Sequence, residues 1–279
     1  VHAGDAYRWL TGEFRTAAGD LAAREAESVL LRVLRVSRSE LFLDPARPLS
    51  DDQYRRCTEV ARRRKSGEPL PYILGSTYFH SVDVAVSRDA LIPRPDTETL
   101  VQAVLDHEGA TRRFFIDLCT GSGAVAAAIL HCRPGWNAVA ADMSAAAAVI
   151  ARKNTDSRCS CVVADMVSAF NDAARFDFVV CNPPYIPCGA IDTLDVSVRS
   201  YEPRMALDGG PDGLDFYRAL TLRAGRLLRR DGWLYAEIGA DQRAAVERLF
   251  TQAGWTGVTC YNDLAGRPRV VRAAAPHAD

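Results

Sequence analysis

The chain has 279 residues, 48% hydrophobic and 25% charged, an ordinary globular make-up with length enough for two domains. Its 34 basic and 35 acidic residues leave a formal net charge of −1, so no general attraction to nucleic acid is built in. No apolar run approaches the ~18 residues of a membrane helix, and the opening "VHAGDAYRWLTGEFRTAAGD" is too polar for a signal peptide, so a cytoplasmic protein without a membrane partner is expected.

Residues 1–75 are predicted to be helical. "AAREAESVLLRVLRVS" (22–37) puts Ala26, Val29, Leu30, Val33 and Leu34 at helical spacing. Ser50 or Asp51 is placed to cap a helix through "DQYRRCTEVARRRKSG" that stops at Gly67. The arginines of 55–65 are the best candidate basic patch, but a solvated helix face is the favoured reading of them. "EPLPYILG" (68–75) reads as a proline-rich linker. "YFHSVDVAVS" (78–87), with Val82, Val84 and Val86 alternating, reads as a short strand or hairpin arm. "LIPRPDTETLV" (91–101) is a stiff turn leading into a helix, with Asp96 the expected N-cap.

From 112 onward strands and helices alternate. Strands are predicted at 114–118, 136–142, 159–165 and 176–181, with helices at 124–132 and 144–154. A helix over 213–230 ending before Gly232, the strand "WLYAEIG", a helix over 241–254 and two tail strands around a turn complete the pattern. Such alternation predicts an α/β fold whose parallel sheet is covered on both faces, with one antiparallel edge. Between them, 186–212 shows little regular structure, and a loop that long is usually functional. The eight cysteines form no CxxC pair and several sit in apolar runs. They are expected to be reduced and buried, and no metal site is expected.

"FIDLCTGSGA" (115–124) is a glycine-bearing turn between a strand and its helix. It lacks the GxGxxG fingerprint, which makes a nicotinamide-dependent oxidoreductase the weakest reading. Asp142 ends the second strand nineteen residues past Gly123, where an acidic side chain accepts ribose hydroxyls in nucleoside-binding sheets. Asp165 ends the third. With Asp117, three successive strands carry carboxylates near the ends where open α/β sheets bind ligands. S-adenosylmethionine suits this pattern: it has no phosphate to cradle, and it carries a ribose, an adenine and a cationic sulfonium.

"VVCNPPYIP" (179–187) then ends a buried strand in two prolines that cannot continue a sheet. A planar amine or amide nitrogen is a poor nucleophile because its lone pair is delocalised. Its N–H groups need acceptors that fix the nitrogen and free the lone pair. Asn182 Oδ1 and the Pro183 carbonyl can supply two, made rigid by Pro183 and Pro184, with Tyr185 offering a stacking face.

Together "LIPRPDTE" (91–98), "DLCTGSGA" (117–124), "VVCNPPYIP", "EPRMALDGGPDGLDFYR" (202–218), "EIG" (237–239) and "DLAGRPRVV" (263–271) resemble the release-factor glutamine methyltransferases, the HemK/PrmC group, over essentially the whole chain. The resemblance implies a class I S-adenosylmethionine-dependent methyltransferase with a Rossmann-like, mostly parallel seven-stranded sheet and a small N-terminal helical bundle. It implies a substrate-docking domain over 1–75, a linker or hairpin over 76–95 and the methyltransferase domain over 96–279. The substrate would be the glutamine of the GGQ motif in class 1 peptide chain release factors, methylated on its side-chain nitrogen, with S-adenosylhomocysteine as product and the enzyme a monomer.

Asn182, Pro183, Pro184 and Tyr185 would hold the glutamine, and Pro93 and Arg94 would help close the site. The cofactor set would be Cys119, Thr120, Gly121, Ser122, Gly123, Asp142, Asp165, Met166 and Asn182. Cys119 departs from the glycine usual in the family; if φ is positive there, a strained turn and weaker cofactor binding are expected. Two rival readings are a nucleic-acid amino-methyltransferase acting on adenine or guanine, which the neutral charge disfavours, and a non-catalytic nucleoside-binding module, which has no need of the Asn-Pro-Pro-Tyr segment.

Overall fold

The structure, a computed structural model, describes residues 1–171 and 176–276. The helices are α1 (Ala3–Ala18), α2 (Ala22–Leu34), α3 (Arg38–Leu43), α4 (Asp51–Lys65), α5 (Leu70–Leu74), α6 (Glu98–His107), α7 (Ala124–Cys132), α8 (Ala145–Asn154), α9 (Val196–Arg199), α10 (Asp215–Arg223) and α11 (Arg243–Gln252). The strands are β1 (Ser76–Phe79), β2 (Val82–Ala85), β3 (Phe114–Leu118), β4 (Asn137–Asp142), β5 (Cys159–Val163), β6 (Phe176–Cys181), β7 (Leu228–Glu237), β8 (Thr256–Asn262) and β9 (Pro268–Ala274). Two compact units result: Val1–Ser76 with Asp195–Tyr201, and Thr77–Leu194 with Glu202–Asp279.

The first unit is helical, built on Leu10, Phe14, Ala26, Val29, Leu30 and Cys57, all fully buried. Ser50 is the N-cap of α4, in a capping box with Gln53. The arginine run is neutralised locally. Arg62 pairs with Glu59, Arg63 with the buried Glu68, and Arg64, itself buried, with Glu25 at 2.7 Å. The linker expected at 68–75 is corrected to the helix α5. Pro71 sits in its first turn, where no backbone N–H is needed, Leu70 is buried, and Gly75 ends it at φ 78°. Tyr201 closes this unit by donating its hydroxyl to the Ser66 carbonyl at 2.9 Å.

In the second unit seven strands run in the order β5-β4-β3-β6-β7-β9-β8. The first five are mutually parallel, and β9 is antiparallel to both β7 and β8. Strand order reverses between β3 and β6, which opens a crevice at their C-terminal ends. Every residue of β6 is buried, as a central parallel strand covered on both faces requires. Phe115 and Phe178 stack at 4.8 Å, with Trp136 edge-on to both, and anchor the sheet beneath.

Several expected elements are corrected. The strand placed at 159–165 ends at Val163, so Asp165 lies past the strand end. The helix placed at 213–230 stops at Arg223, because Leu228 already pairs with Phe176 of the sheet. Thr97, not Asp96, precedes α6, and the Asp96 carboxylate lies 3.1 Å from Arg269 instead of capping. The 186–212 stretch contains α9 and 3-10 turns at Cys188–Thr193 and Arg204–Ala206. All eight cysteines are free thiols, but only Cys57 and Cys181 are fully buried. The strand or hairpin arm expected at 78–87 is a hairpin of β1 and β2, turned by His80 and Ser81 at positive φ; at Ala85 the Asn154 side chain accepts the N–H and donates to the carbonyl, each at 2.8 Å.

Candidate active site

The turn Cys119–Gly123 carries positive φ at Cys119 (55°), Gly121 (55°) and Gly123 (78°). A Cβ at Gly123 would lie 2.9 Å from Ala151, so glycine is required both by conformation and by the close approach of α8. Asp117, fully buried at the end of β3, accepts the Thr120 hydroxyl at 2.6 Å and the Ala126 N–H at 3.3 Å. It thereby ties the turn to the first residues of α7. Burial pushes its carboxyl up to about 7 despite those two bonds. Asp142, at the end of β4, accepts the Gly121 N–H at 2.8 Å and the Ser144 N–H at 2.9 Å; burial raises its pKa as well. Asn154 holds the turn from behind through the Ser122 carbonyl at 2.8 Å. The Cys119 thiol meets Met166 Sδ at 3.4 Å, and Met166 also has a positive φ of 49°.

Asp117, Cys119, Thr120, Gly121, Ser122, Asp142, Ser144 and Met166 line one cleft. Of the residues singled out in the sequence, Pro93, Cys119, Thr120, Gly121, Ser122, Asp142, Asp165, Met166, Asn182 and Pro184 border it. Gly123, Arg94, Pro183 and Tyr185 do not. Gly123 lies behind the turn, against Ala151. Arg94 turns to Glu202, with which it forms a close ion pair.

Asn182 directly follows β6 and is half-buried, while Pro183 and Pro184 are buried. Its Nδ2 donates to Thr97 Oγ1 at 3.2 Å. The Tyr185 hydroxyl reaches Glu237 Oε1 at 3.5 Å, and the Tyr185 carbonyl accepts Gln242 Nε2 at 2.9 Å. Gln242 also donates to the Gly213 carbonyl and accepts the Gly239 N–H, so one amide fixes three loops. A Cβ at Gly209 would lie 2.8 Å from the Tyr185 backbone, so the "DGG" turn packs directly on the motif. Burial pushes the Tyr185 phenol up to about 12, which keeps it neutral.

Sequence reasoning assigned no role to Thr97, Glu202, Glu237 or Gln242. Glu237 is 1% exposed, and burial pushes its carboxyl up to about 7, against the Thr97 hydroxyl and the Arg269 charge. Glu202, also buried, accepts the Ile92 N–H at 3.1 Å besides pairing with Arg94. The letters of Glu202 and Glu237 stood inside motifs already quoted, but 17 and 52 positions past Tyr185 they match no spacing that ties an acidic side chain to the turn or to the Asn-Pro-Pro-Tyr segment. Chemically, the cleft offers acidic and backbone groups at the glycine turn, apolar walls, and at its other side an orientable amide on a rigid proline pair.

The sequence profile of the PrmC N-terminal domain matches residues 5–75, and that of the methyltransferase small domain matches 95–196. The release factor glutamine methyltransferase of Caulobacter vibrioides is 40% identical over 242 residues, 85% of this chain and 83% of the relative. That of Cereibacter sphaeroides is 36% identical over 283 residues, covering 100% of both chains. Among solved structures, a methyltransferase from Pyrococcus furiosus superposes with a TM-score of 0.52 at 12% identity, over 82% of this chain and 100% of that one, a likeness of fold alone.

Proposed function

This chain belongs to the release factor glutamine methyltransferases, and from that membership we propose that it transfers a methyl group from S-adenosylmethionine to the side-chain amide nitrogen of the GGQ glutamine in class 1 peptide chain release factors. The observation that carries the reading is that the glycine turn, Asp142 and Met166 share one cleft with Asn182 and Pro184. The residues present fit the cofactor. Its ribose hydroxyls suit Asp142, an adenine suits the apolar wall at Met166 with Asp165 at its edge, and the cation suits a cleft bordered by Asp117 and Asp142. When bound, that cofactor supplies an electrophilic methyl group.

The chain's own residues bind and orient the acceptor. Asn182 Oδ1 and the Pro183 carbonyl take the two amide hydrogens of the glutamine, which leaves the nitrogen lone pair directed into the cleft. The rigid Pro183–Pro184 pair fixes that carbonyl, and Tyr185 is held at its carbonyl by Gln242. No strong base is needed before attack, because the proton leaves once nitrogen has become cationic. The N-terminal helices dock the release factor, the enzyme works as a monomer, and eight free thiols suit a reducing, cytoplasmic compartment.

The experiment is transfer of a labelled methyl group to a purified release factor, to the same factor with its GGQ glutamine changed to alanine, to duplex DNA and to ribosomal RNA. Label on the intact factor alone is expected. Label on nucleic acid would keep the cleft and cofactor but move the Asn-Pro-Pro-Tyr segment to a nucleobase.

A further inference from the structure

Gln242 stands at the start of α11, yet its side chain does not cap that helix. The side chain is turned inward and buried. Nε2 donates its two hydrogens to the Tyr185 carbonyl at 2.9 Å and the Gly213 carbonyl at 3.2 Å, while Oε1 accepts the Gly239 N–H at 3.0 Å. These partners allow one orientation only. Turned over, the amide would set its oxygen against two carbonyls and its NH₂ against an N–H. Two glycines make room for it. A Cβ at Gly239 would lie 2.9 Å from Gln242 Oε1, and a Cβ at Gly213, where φ is 76°, would lie 2.8 Å from Nε2.

The Tyr185 carbonyl matters because of what precedes it. Cys181 is fixed in the sheet, paired with Leu118 of β3 and Ala236 of β7. Between Cys181 and Tyr185 the proline rings fix φ at 183 and 184 but leave ψ free, and ψ of Pro183 aims the carbonyl that the proposed function gives to the acceptor. Holding Tyr185 as well as Cys181 removes that freedom. Ile186 is bound too, its N–H to the Leu207 carbonyl at 3.0 Å and its carbonyl to the Gly209 N–H at 2.9 Å, but those partners are themselves in a loop. Gln242 binds the motif, and the same loop through Gly213, to the segment that follows β7.

We propose that Gln242 is a positioning residue for methyl transfer: its NH₂ pins the Tyr185 and Gly213 carbonyls, and so holds the Pro183 carbonyl and the Asn182 side chain in the direction of the acceptor nitrogen. The proposal rests on the Asn-Pro-Pro-Tyr segment holding the acceptor, as in the function proposed above. It gives a task to "GGPDG" and to the glycine of "EIG", which that function leaves without one. A side chain that only filled space or started α11 would need bulk and the Gly239 bond. Pinning needs the two donated hydrogens, and this difference separates the two roles.

The test has a kinetic arm and a substrate-free arm, both on the full chain and well below each variant's unfolding midpoint. Gln242→Glu keeps the length and an acceptor for Gly239 but gives up at least one donated bond; Gln242→Met keeps the bulk and gives up all three. Displacement of a reacting group by about 1 Å costs on the order of 10²-fold in rate. The kcat for release factor methylation should therefore fall at least tenfold in Gln242→Met and at least fivefold in Gln242→Glu, with the KM for the factor and the Kd for S-adenosylmethionine within threefold of wild type. Without substrate, the Asn182 side-chain NH₂ resonances, assigned by their loss in Asn182→Asp, should move in Gln242→Glu while the backbone amides of 120–123 stay in place. In the wild type, the Gln242 NH₂ protons should exchange with solvent at least tenfold more slowly than those of the exposed Gln252. Fast exchange at Gln242, unmoved Asn182 resonances, or a Gln242→Glu enzyme whose kcat is within threefold of wild type overturns the proposal. Should the resonances move while the wild type labels no release factor, the pin on the motif stands and the choice of substrate falls.

Discussion

At Cys119 the backbone φ is 55°, a left-handed conformation that costs a residue with a Cβ about 1–2 kcal/mol relative to glycine. Glycine at this position gives back ~0.4–1 kcal/mol in unfolded-chain entropy and loses the contact with Met166. Cys119→Gly is therefore expected to stabilise the protein by no more than about 1 kcal/mol, whereas Cys119→Val, β-branched in the same conformation, should destabilise it by more than ~1 kcal/mol. Urea midpoints at constant slope measure both. The strain is borne on folding by the free and the bound protein alike, so, in place of the weaker cofactor binding expected from the sequence, the Kd for S-adenosylmethionine should stay within threefold in Cys119→Gly. Two other residues separate the halves of the cleft. Asp142→Ala should weaken S-adenosylmethionine by about 1–3 kcal/mol, through a lost charged acceptor and a loosened Gly121. Asn182→Ala should abolish transfer and leave cofactor binding nearly intact. Calorimetric titration beside a transfer assay reads both, and the reverse pattern would exchange the two sites.

The elements that deliver these residues were legible in proportion to how local their signals are. β3, β4 and β6 each end where an apolar run meets Asp142, Asn182 or the glycine turn, and periodicity with punctuation is enough to find them. The start of β7 at Leu228 was hidden, because the run "RLLRR" continues helical spacing and only pairing with Phe176 makes it a strand. α5 was hidden by prolines that suit a first helical turn as well as a linker. Within the site, the contiguous motifs could be read, but the contacts between them could not. Thr97–Asn182 spans 85 positions and Arg94–Glu202 spans 108, and no sequence period encodes such pairs. The second of these joins two segments that both border the cleft, through Pro93 on one and Pro203 and Met205 on the other. Glu202 also fixes the Ile92 N–H, so it orders the entry to α6 from a distant loop. Glu202→Ala should thus cost about 1–3 kcal/mol of stability. It should also weaken S-adenosylmethionine severalfold, with Arg94→Ala showing the smaller loss because Glu202 keeps its backbone partner. Equal affinity in all three proteins would mean that the pair does not shape the cleft.

Over the whole molecule, the sheet carries two carboxyl groups at its functional end, Asp117 and Glu237, that burial pushes up to about 7. Their ordinary values are 3.8 and 4.5, so the folded state binds these protons more tightly than the unfolded chain does. For a group raised in this way, the stabilisation is fully present below the unfolded value and is lost as pH rises through the folded one. The expected loss is on the order of 3 kcal/mol for each group between pH 4.5 and about 8. Asp195, Asp212 and Asp263 are held below the usual carboxylate range by their hydrogen bonds, so they act in the opposite sense at lower pH. Stability should therefore peak near pH 5 and fall towards pH 8, rather than rise across that interval. Thermal unfolding of the protein alone should show this fall, and Asp117→Asn or Glu237→Gln should each flatten it. Part of the charge that weakens the fold at pH 8 is the charge that the proposed function uses, since Asp117 borders the cleft proposed for a cationic cofactor. S-adenosylmethionine should accordingly raise the unfolding midpoint more at pH 8 than at pH 6, and the excess should disappear in Asp117→Asn. A midpoint that climbs steadily to pH 8 in the wild type would show that neither carboxyl is ionised at a cost, and with it the link between the instability of this cleft and its chemistry would fail.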